Sequence, residues 1–423
     1  MISRFCLYSI LKNLRFADPF LVLFLLHAGF SFVTIGSALG VQHLIVGVLE
    51  FPLGMAADRW GRRRSLALCF LFYAASAVTM ARLQPGQEGV LFAAVVLYAL
   101  AEALRTGSHK AIILDYLDER GEAGRATRVI GLTRAFSKTA AAVSALGGGV
   151  FLFYSRDYSL LFWLSAGPAL AGFFLMLSYP RWLDGENQRL QQQARPSGRT
   201  WKAYARALVA RPGMKPLLLE SAAFESQVKM ILKYYVQPVL QQGLAALGIP
   251  VLGPGAIWIG SAEFASNQVG AAGALLSGRA ENLLKNRGGA RRWIYLAVMA
   301  TAAGIGLAAR NRELITGIIL FVILTGLQNI RRPLFVSAFN QVMDKPQRAT
   351  TLSLESMART LTVSALLPVT GLIADRYGMA PVFWLICAVL FVGGPLTWIV
   401  SGRSGAATHV TNRRPASPRK PGR

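Results

Sequence analysis

Gly54-Met55-Ala56-Ala57-Asp58-Arg59-Trp60-Gly61-Arg62-Arg63-Arg64-Ser65-Leu66 stands between two long apolar stretches, 33–57 and 65–82. Five of its thirteen residues are charged in a chain that is only 15% charged overall. A small residue at Gly54 lets neighbouring helices approach closely in lipid. Gly61 permits a tight turn, because glycine alone carries no Cβ penalty at positive φ. The arginines sit at the edge of the apolar stretches, where cytoplasmic loops concentrate positive charge. The stretch therefore reads as a short polar connection between two membrane crossings.

The same alternation continues in both directions. Mean hydropathy is +0.42 and 53% of the residues are hydrophobic, whereas a soluble domain carries about 25% charge. Apolar runs near the roughly 20 residues of a bilayer crossing recur throughout, at 6–28, 33–57, 65–82, 89–116, 129–152, 159–179, 216–240, 255–278, 293–309, 313–334, 350–373 and 379–401. We number these spans 1 to 12. They lack the alternation of barrel strands, and lipid admits only helices or closed barrels. The expected class is an all-α membrane protein of twelve helices in two six-helix bundles.

A formal charge of +25 suggests nucleic acid as a partner, but its placement argues against one. With the N-terminus inside, cytoplasmic segments hold Arg4, Arg59, Arg62, Arg63, Arg64, Arg120, Arg125 and Arg128, the central linker and the tail. The opposite side shows Arg82, Arg156, Arg310, Arg312 and Arg376. This asymmetry places both termini in the cytoplasm, in a plasma membrane (the inner membrane of a bacterium). Cys6, Cys69 and Cys387 fall within spans and imply no disulfide framework. The first apolar stretch runs on through Asp18-Pro19, unlike a cleavable signal peptide.

The chain repeats itself. Phe162-Trp163-Leu164 returns as Phe383-Trp384-Leu385, Val143-Ser144-Ala145-Leu146 as Val363-Ser364-Ala365-Leu366, and Arg125-Ala126-Thr127 as Arg348-Ala349-Thr350. Asp18-Pro19 falls opposite Gln237-Pro238. The common shift is near 221 residues. It divides the chain into a first half at 1–179, a linker at 180–215 with an amphipathic basic helix near Thr200–Ala210, a second half at 216–401, and a basic, disordered tail at 402–423.

The opening stretch resembles the cytoplasmic loop motif of the major facilitator superfamily, G-x-x-x-D-R-x-G-R-R-x-x-L, without gaps. The twelve spans, the repeated halves and the mid-chain linker agree, so the resemblance extends to the tail. It implies a secondary carrier working by alternating access. It also implies that Gly54, Asp58, Arg59, Gly61, Arg62, Arg63 and Asp115 form a conformational gate. In the family, the acid at Asp58 meets the positive start of span 11, near Thr350, and closes the cytoplasmic side; Arg59, Arg62 and Arg63 can pair with Asp115. The corresponding second-half loop, from Ser277, lacks the acid. Gly371-Leu372-Ile373-Ala374-Asp375-Arg376-Tyr377-Gly378 mimics the motif on the outer side and reads as a tight turn. Arg105 matches a mid-membrane arginine of span 4 found in many family members.

Charges inside spans are costly and mark pathways or pairs. Arg15 and Asp18 in span 1, Glu102, Arg105 and His109 on one face of span 4, Glu225, Lys229 and Lys233 in span 7, Glu263 in span 8 and Asn329 in span 10 are the candidates for a substrate and ion pathway. Glu225 and Lys229 also fit an i, i+4 pair. Arg134, Lys138, Arg331, Arg332, Glu355 and Arg359 fit snorkelling or structural pairing as well as a cavity. His43 alone reads as a hydrogen-bonded packing residue.

Lys and Arg outnumber acids in this set, and a surplus of buried cations attracts anions. The expected substrate is a small organic anion, driven either by H+ through Asp18, Glu102 or Glu263 or by no coupling ion. The alternatives are a multidrug efflux carrier and a non-transporting receptor on the same fold. Gly147-Gly148-Gly149 lacks the proline of the exporter motif in span 5. No phosphate loop, metal cluster or catalytic constellation is visible, so neither an enzyme nor a cofactor is expected. Lipid bilayer, solute and a monomeric chain complete the expected surroundings.

Overall fold

The computed structural model describes residues 1–105, 108–184, 214–284, 290–342 and 348–398. The expected linker helix and the tail lie outside these residues, and the side chains of Asp58 and Arg59 are likewise outside them. Every element among the described residues is helical, as a bilayer demands of any chain that does not close into a barrel. Among the described residues, nine helical stretches are long and apolar enough to cross a membrane.

Spans 2, 3, 5 and 6 are the helices Phe32–Trp60, Arg62–Ala81, Ala126–Ser155 and Tyr158–Leu177. Span 4 is Glu88–Arg105 followed by Ser108–Glu119. In the second half, span 8 is Ala256–Leu284, span 9 Ala290–Asn311, span 10 Leu314–Val342 and span 11 Arg348–Tyr377. Span 12 is Met379–Phe391, continued by a π turn at Val392–Leu396. Between spans 2 and 3, Gly61 takes φ +108 and its N–H meets the Ala57 carbonyl at 3.0 Å. The turn read from the sequence is therefore a join of one residue.

Span 1 departs from the expected continuous helix. It consists of Ile2–Asn13 and Leu21–His27, with a short 3-10 turn at Asp18–Phe20 between them. Pro19 has no N–H to give and disfavours helix at the residue before it. Its repeat partner, span 7, shows the same weakness. Helix Met214–Met230 passes through a π turn at Ile231–Tyr235 before Val236–Ala246, which contains Pro238.

The two irregular spans meet. Gln237 Nε2 donates to the Asp18 carbonyl at 3.1 Å and to the Lys233 carbonyl at 3.0 Å, and its Oε1 accepts the Val22 N–H at 2.9 Å. The aligned dipeptides of the two halves thus touch, and a second-half side chain supplies hydrogen bonds that the broken first-half helix lacks.

We call the end of the bundle carrying Met1, Gly61 and Arg348 the basic end, and that carrying Gly29, Arg82 and Gly378 the far end. The halves close together from mid-bundle to the far end. A Cβ on Gly149 would lie 2.6 Å from the Ala256 carbonyl oxygen, and one on Gly260 2.7 Å from that of Ala145. Spans 5 and 8 therefore touch backbone to backbone. Spans 2 and 11 do likewise, and Ser364 Oγ donates to the Gly40 carbonyl at 2.8 Å. At the far tip the Asp375 carboxylate accepts the Phe32 and Val33 N–H groups, each at 2.8 Å. The segment Gly371–Tyr377 is not a turn, as its sequence suggested, but the last stretch of the span 11 helix; the tight turn is confined to Gly378, at φ +82, and Asp375 caps span 2. At the basic end, no atom lies within 4 Å of a Cβ built on Gly54, so the close approach expected there is absent from this conformation.

Candidate functional site

Between the halves lies a cavity of about 1520 Å³. It runs from Pro19 and Phe321 in mid-bundle to Lys110 and Ile130 near the basic end. Irregular spans 1 and 7 face each other across its deep end, where freed backbone groups are tolerated beside a cavity.

Its lining is strongly basic. Ten Lys and Arg side chains reach it, namely Lys12, Arg15, Arg105, Lys110, Arg134, Lys138, Lys229, Lys233, Arg332 and Arg359, against Asp18, Glu225 and Glu263. Among the described residues, only Arg15, Arg105 and Arg332 of these ten have a carboxylate within 4.0 Å. The other seven have no carboxylate within that distance among the described residues.

On the first-half wall, Glu102 is fully engaged. Its Oε2 accepts from Arg105 Nη2 at 2.5 Å, and its Oε1 accepts from Arg15 Nη2 at 3.2 Å and from the Tyr73 hydroxyl. Arg105 Nε also donates to the Tyr73 hydroxyl at 3.2 Å. Arg15 donates to the Tyr98 hydroxyl, lies 4.3 Å from the Tyr73 ring centroid, and comes within 3.8 Å of Asp18. Tyr73 and Tyr98 were not legible as site residues, since a hydroxyl inside an apolar run leaves no charge signature. His109 shares the face expected of it but turns away from this network. It lines the cavity while stacking on Tyr8 at 3.6 Å between centroids, and its buried Nε2 has no hydrogen-bond partner among the described residues.

On the second-half wall, Glu225 does not pair with Lys229. It meets Arg332 at 3.3 Å and Arg331 at 3.6 Å, so the i, i+4 reading is overturned by partners from span 10. Lys229 Nζ instead lies 3.5 Å from His43 Nδ1, whose other nitrogen meets the Tyr234 hydroxyl at 2.9 Å. His43 is thus hydrogen-bonded, as expected. Lys233 Nζ sits over the Tyr98 and Tyr234 rings at 5.6 and 5.5 Å. Glu263 lines the cavity with no ion pair among the described residues. Asn329 also lines it, its Nδ2 donating to the Thr325 carbonyl at 2.8 Å.

Arg331 does not snorkel. It is 0% exposed and bonded to Glu220 Oε1 at 2.8 Å, with its guanidinium 3.6 Å from the Phe224 ring centroid. Glu355 is held by Arg332 at 3.1 Å and by the Ser221 hydroxyl at 2.5 Å. At the basic end, Arg62 pairs with Asp115 at 2.6 Å, as expected. Arg63 reaches the Leu177 and Tyr179 carbonyls at 3.1 and 3.3 Å, holding the end of span 6.

The sequence model of the Major Facilitator Superfamily matches residues 3–267. No curated protein sequence matches the chain. Among solved structures, the nucleoside transporter NupG superposes with a TM-score of 0.76 at 12% identity, covering 95% of this chain and 98% of its own. A bacterial homologue of the human lysosomal transporter Spinster, inward-facing and unoccupied, gives 0.71 at 16% identity over 97% and 98%. The peptide transporter POT in complex with sulfate gives 0.69 at 13% identity over 96% and 95%.

Proposed function

The chain belongs to the major facilitator superfamily, and on that premise we propose that it carries a small organic anion across a membrane by alternating access. The supporting observation is the cavity wall, where ten basic side chains face three acids and, among the described residues, seven of the ten lack a carboxylate within 4.0 Å. In a low-dielectric cleft such a surplus concentrates anions, and guanidinium groups can grip carboxylate or phosphate in two-pronged fashion. The basic end faces the cytoplasm in this reading, so the conformation described is open inward and sealed outward, and both termini are cytoplasmic. The protein acts as a single chain.

Glu263 is the proton site in this proposal. Of the three acids named from the sequence, Glu102 is consumed by Arg15, Arg105 and Tyr73, and Asp18 lies beside Arg15. Glu263 faces the cavity with no ion-pair partner among the described residues. The gate is the set Gly54, Asp58, Arg59, Gly61, Arg62, Arg63 and Asp115, with the Arg62–Asp115 pair bracing the start of span 3 against span 4.

The test is uptake into proteoliposomes containing the purified protein. Labelled organic anions should be taken up, with acceleration by an imposed pH gradient that Glu263→Gln abolishes. Uptake confined to cations would overturn the reading.

A further inference from the structure

A second, smaller space lies behind span 1, inside the first half. It measures about 80 Å³ and is walled chiefly by apolar side chains, among them Leu25, Phe70, Met80, Val95 and Phe162. Lys12, Arg15 and Asp18 line both this chamber and the main cavity, so they stand at the opening between the two. The opening coincides with the interruption of span 1 between Ile2–Asn13 and Leu21–His27. A water needs roughly 15 Å³ and two to four polar partners. The chamber exceeds that volume several times, while its lining offers few polar atoms. Interiors are otherwise packed close, and an unfilled apolar void lowers stability.

We propose that the chamber receives the apolar part of the transported anion. This rests on the anion reading and narrows it. The substrate would be an amphipathic organic anion with a compact alkyl or aryl group, its charge held at the mouth by Lys12. Arg15 is already engaged by Tyr98, Glu102 and Asp18, whereas Lys12 has no carboxylate within 4.0 Å among the described residues.

The experiment measures binding of straight and branched monocarboxylates, from acetate to hexanoate and phenylacetate, to the full chain in nanodiscs. Affinity should rise about fourfold for each added methylene, the ratio expected for burial of a CH₂ group. Ala77→Leu, which fills the chamber from span 3, should leave acetate binding unchanged and flatten the series. Ala38→Leu should do the same from span 2 and guards against local misfolding of either variant. If acetate binds but affinity ignores chain length, or if neither variant alters the slope, the chamber proposal fails and the anion reading stands. If no anion binds at all, both fail.

A separate observation carries a second inference. The far-end segment Gly371-x-x-Ala374-Asp375-Arg376-Tyr377-Gly378 repeats, position for position, Gly54-x-x-Ala57-Asp58-Arg59-Trp60-Gly61. One motif ends span 11 and the other ends span 2, and these two helices run antiparallel in contact along the seam between halves. The far-end aspartate already accepts two N–H groups from the first turn of the opposite helix. We infer that Asp375 latches the start of span 2 and thereby holds the far-end seal, as the counterpart of the role that the family resemblance implies for Asp58 at the basic end.

Spin labels at Gln84→Cys and Arg310→Cys, on exposed far-end positions of the two halves, read the seal as a distance in a Cys387→Ser background. Asp375→Ala should raise the population with a longer distance about tenfold, consistent with loss of a helix cap. Asp375→Glu, which keeps the carboxylate, should raise it less. Asp58→Ala should lower that population, because it frees the other end. An unchanged distribution in Asp375→Ala, or shifts of one sign in both alanine variants, would overturn the inference.

Discussion

Arg331 and Arg332 are neighbours in sequence and live in different chemical worlds. A step of one residue turns a helix by about 100°, since 3.6 residues complete a turn. That rotation buries Arg331 completely against Glu220 and Phe224, and leaves Arg332 34% exposed at the cavity wall. Removing one member of a buried ion cluster strands its partners, at a cost of about 3–5 kcal/mol. Arg331→Met should therefore lower the unfolding temperature markedly, and solute binding would fall only as the fold fails. Lys229 and Lys233 present the opposite case. Each faces the cavity with no carboxylate within 4.0 Å among the described residues, so Lys229→Gln and Lys233→Gln should leave unfolding unchanged while weakening anion binding roughly tenfold each, about 1.4 kcal/mol. Thermal unfolding with and without ligand separates the two outcomes. The sequence could not distinguish these residues, because charge and depth are readable from it but the facing partner is not. Glu225 shows this most plainly: its i+4 lysine lay in view, while its actual partners stand 106 and 107 positions further along.

At the level of elements, the interruption of span 1 governs what the first half can expose. Gln237 stabilises it from the other half, satisfying the Val22 N–H and the Asp18 carbonyl. Gln237→Leu would leave both groups unpaired in a buried setting, which costs about 1–3 kcal/mol each. The expected result is a lower unfolding temperature together with a reduced transport rate, since the same bonds join the two halves. The glycine seam makes a different demand. A side chain on Gly260 has no room beside the Ala145 carbonyl unless spans 5 and 8 part. Gly260→Val should unseat the far-end seal, read as faster labelling of Ile249→Cys, a half-buried position that lines a far-end crevice with His27, Tyr158 and Gly248. The limits of most spans were legible, because length and hydropathy suffice for that. The break in span 1 was not, because Asp18-Pro19 within an apolar run also fits a merely kinked helix. Yet the repeat alignment had already placed Gln237 opposite Asp18, and that pairing proved to be a physical contact.

For the molecule as a whole, the repeat of about 221 residues and the loop Gly54–Leu66 were enough to reach the fold. The surplus of cations was also legible, but its location required the structure. Several basic residues that suited snorkelling, Arg134, Lys138 and Arg359 among them, point into one shared space. Charge crowded this way interacts through the cavity and is screened by salt within about 8 Å at physiological ionic strength. Anion affinity should consequently fall as salt rises, measured by titration at constant pH. A salt-independent affinity would mean that apolar contact alone holds the ligand.

The unbalanced cations have one more consequence, and it is electrical. If the halves rock about the central site, the surplus of basic groups that lack a close carboxylate among the described residues changes its position in the membrane's field each time the empty carrier turns over. One elementary charge crossing 100 mV is worth about 2.3 kcal/mol, so even a small fractional displacement of several charges competes with the energies that separate conformations. A negative cell interior would then hold the unloaded protein open toward the cytoplasm, and a bound anion, by cancelling part of that charge, would release it. Voltage itself would act as a ligand of the empty state. Transient currents from reconstituted protein, present without solute and diminished by it, are the signature to record.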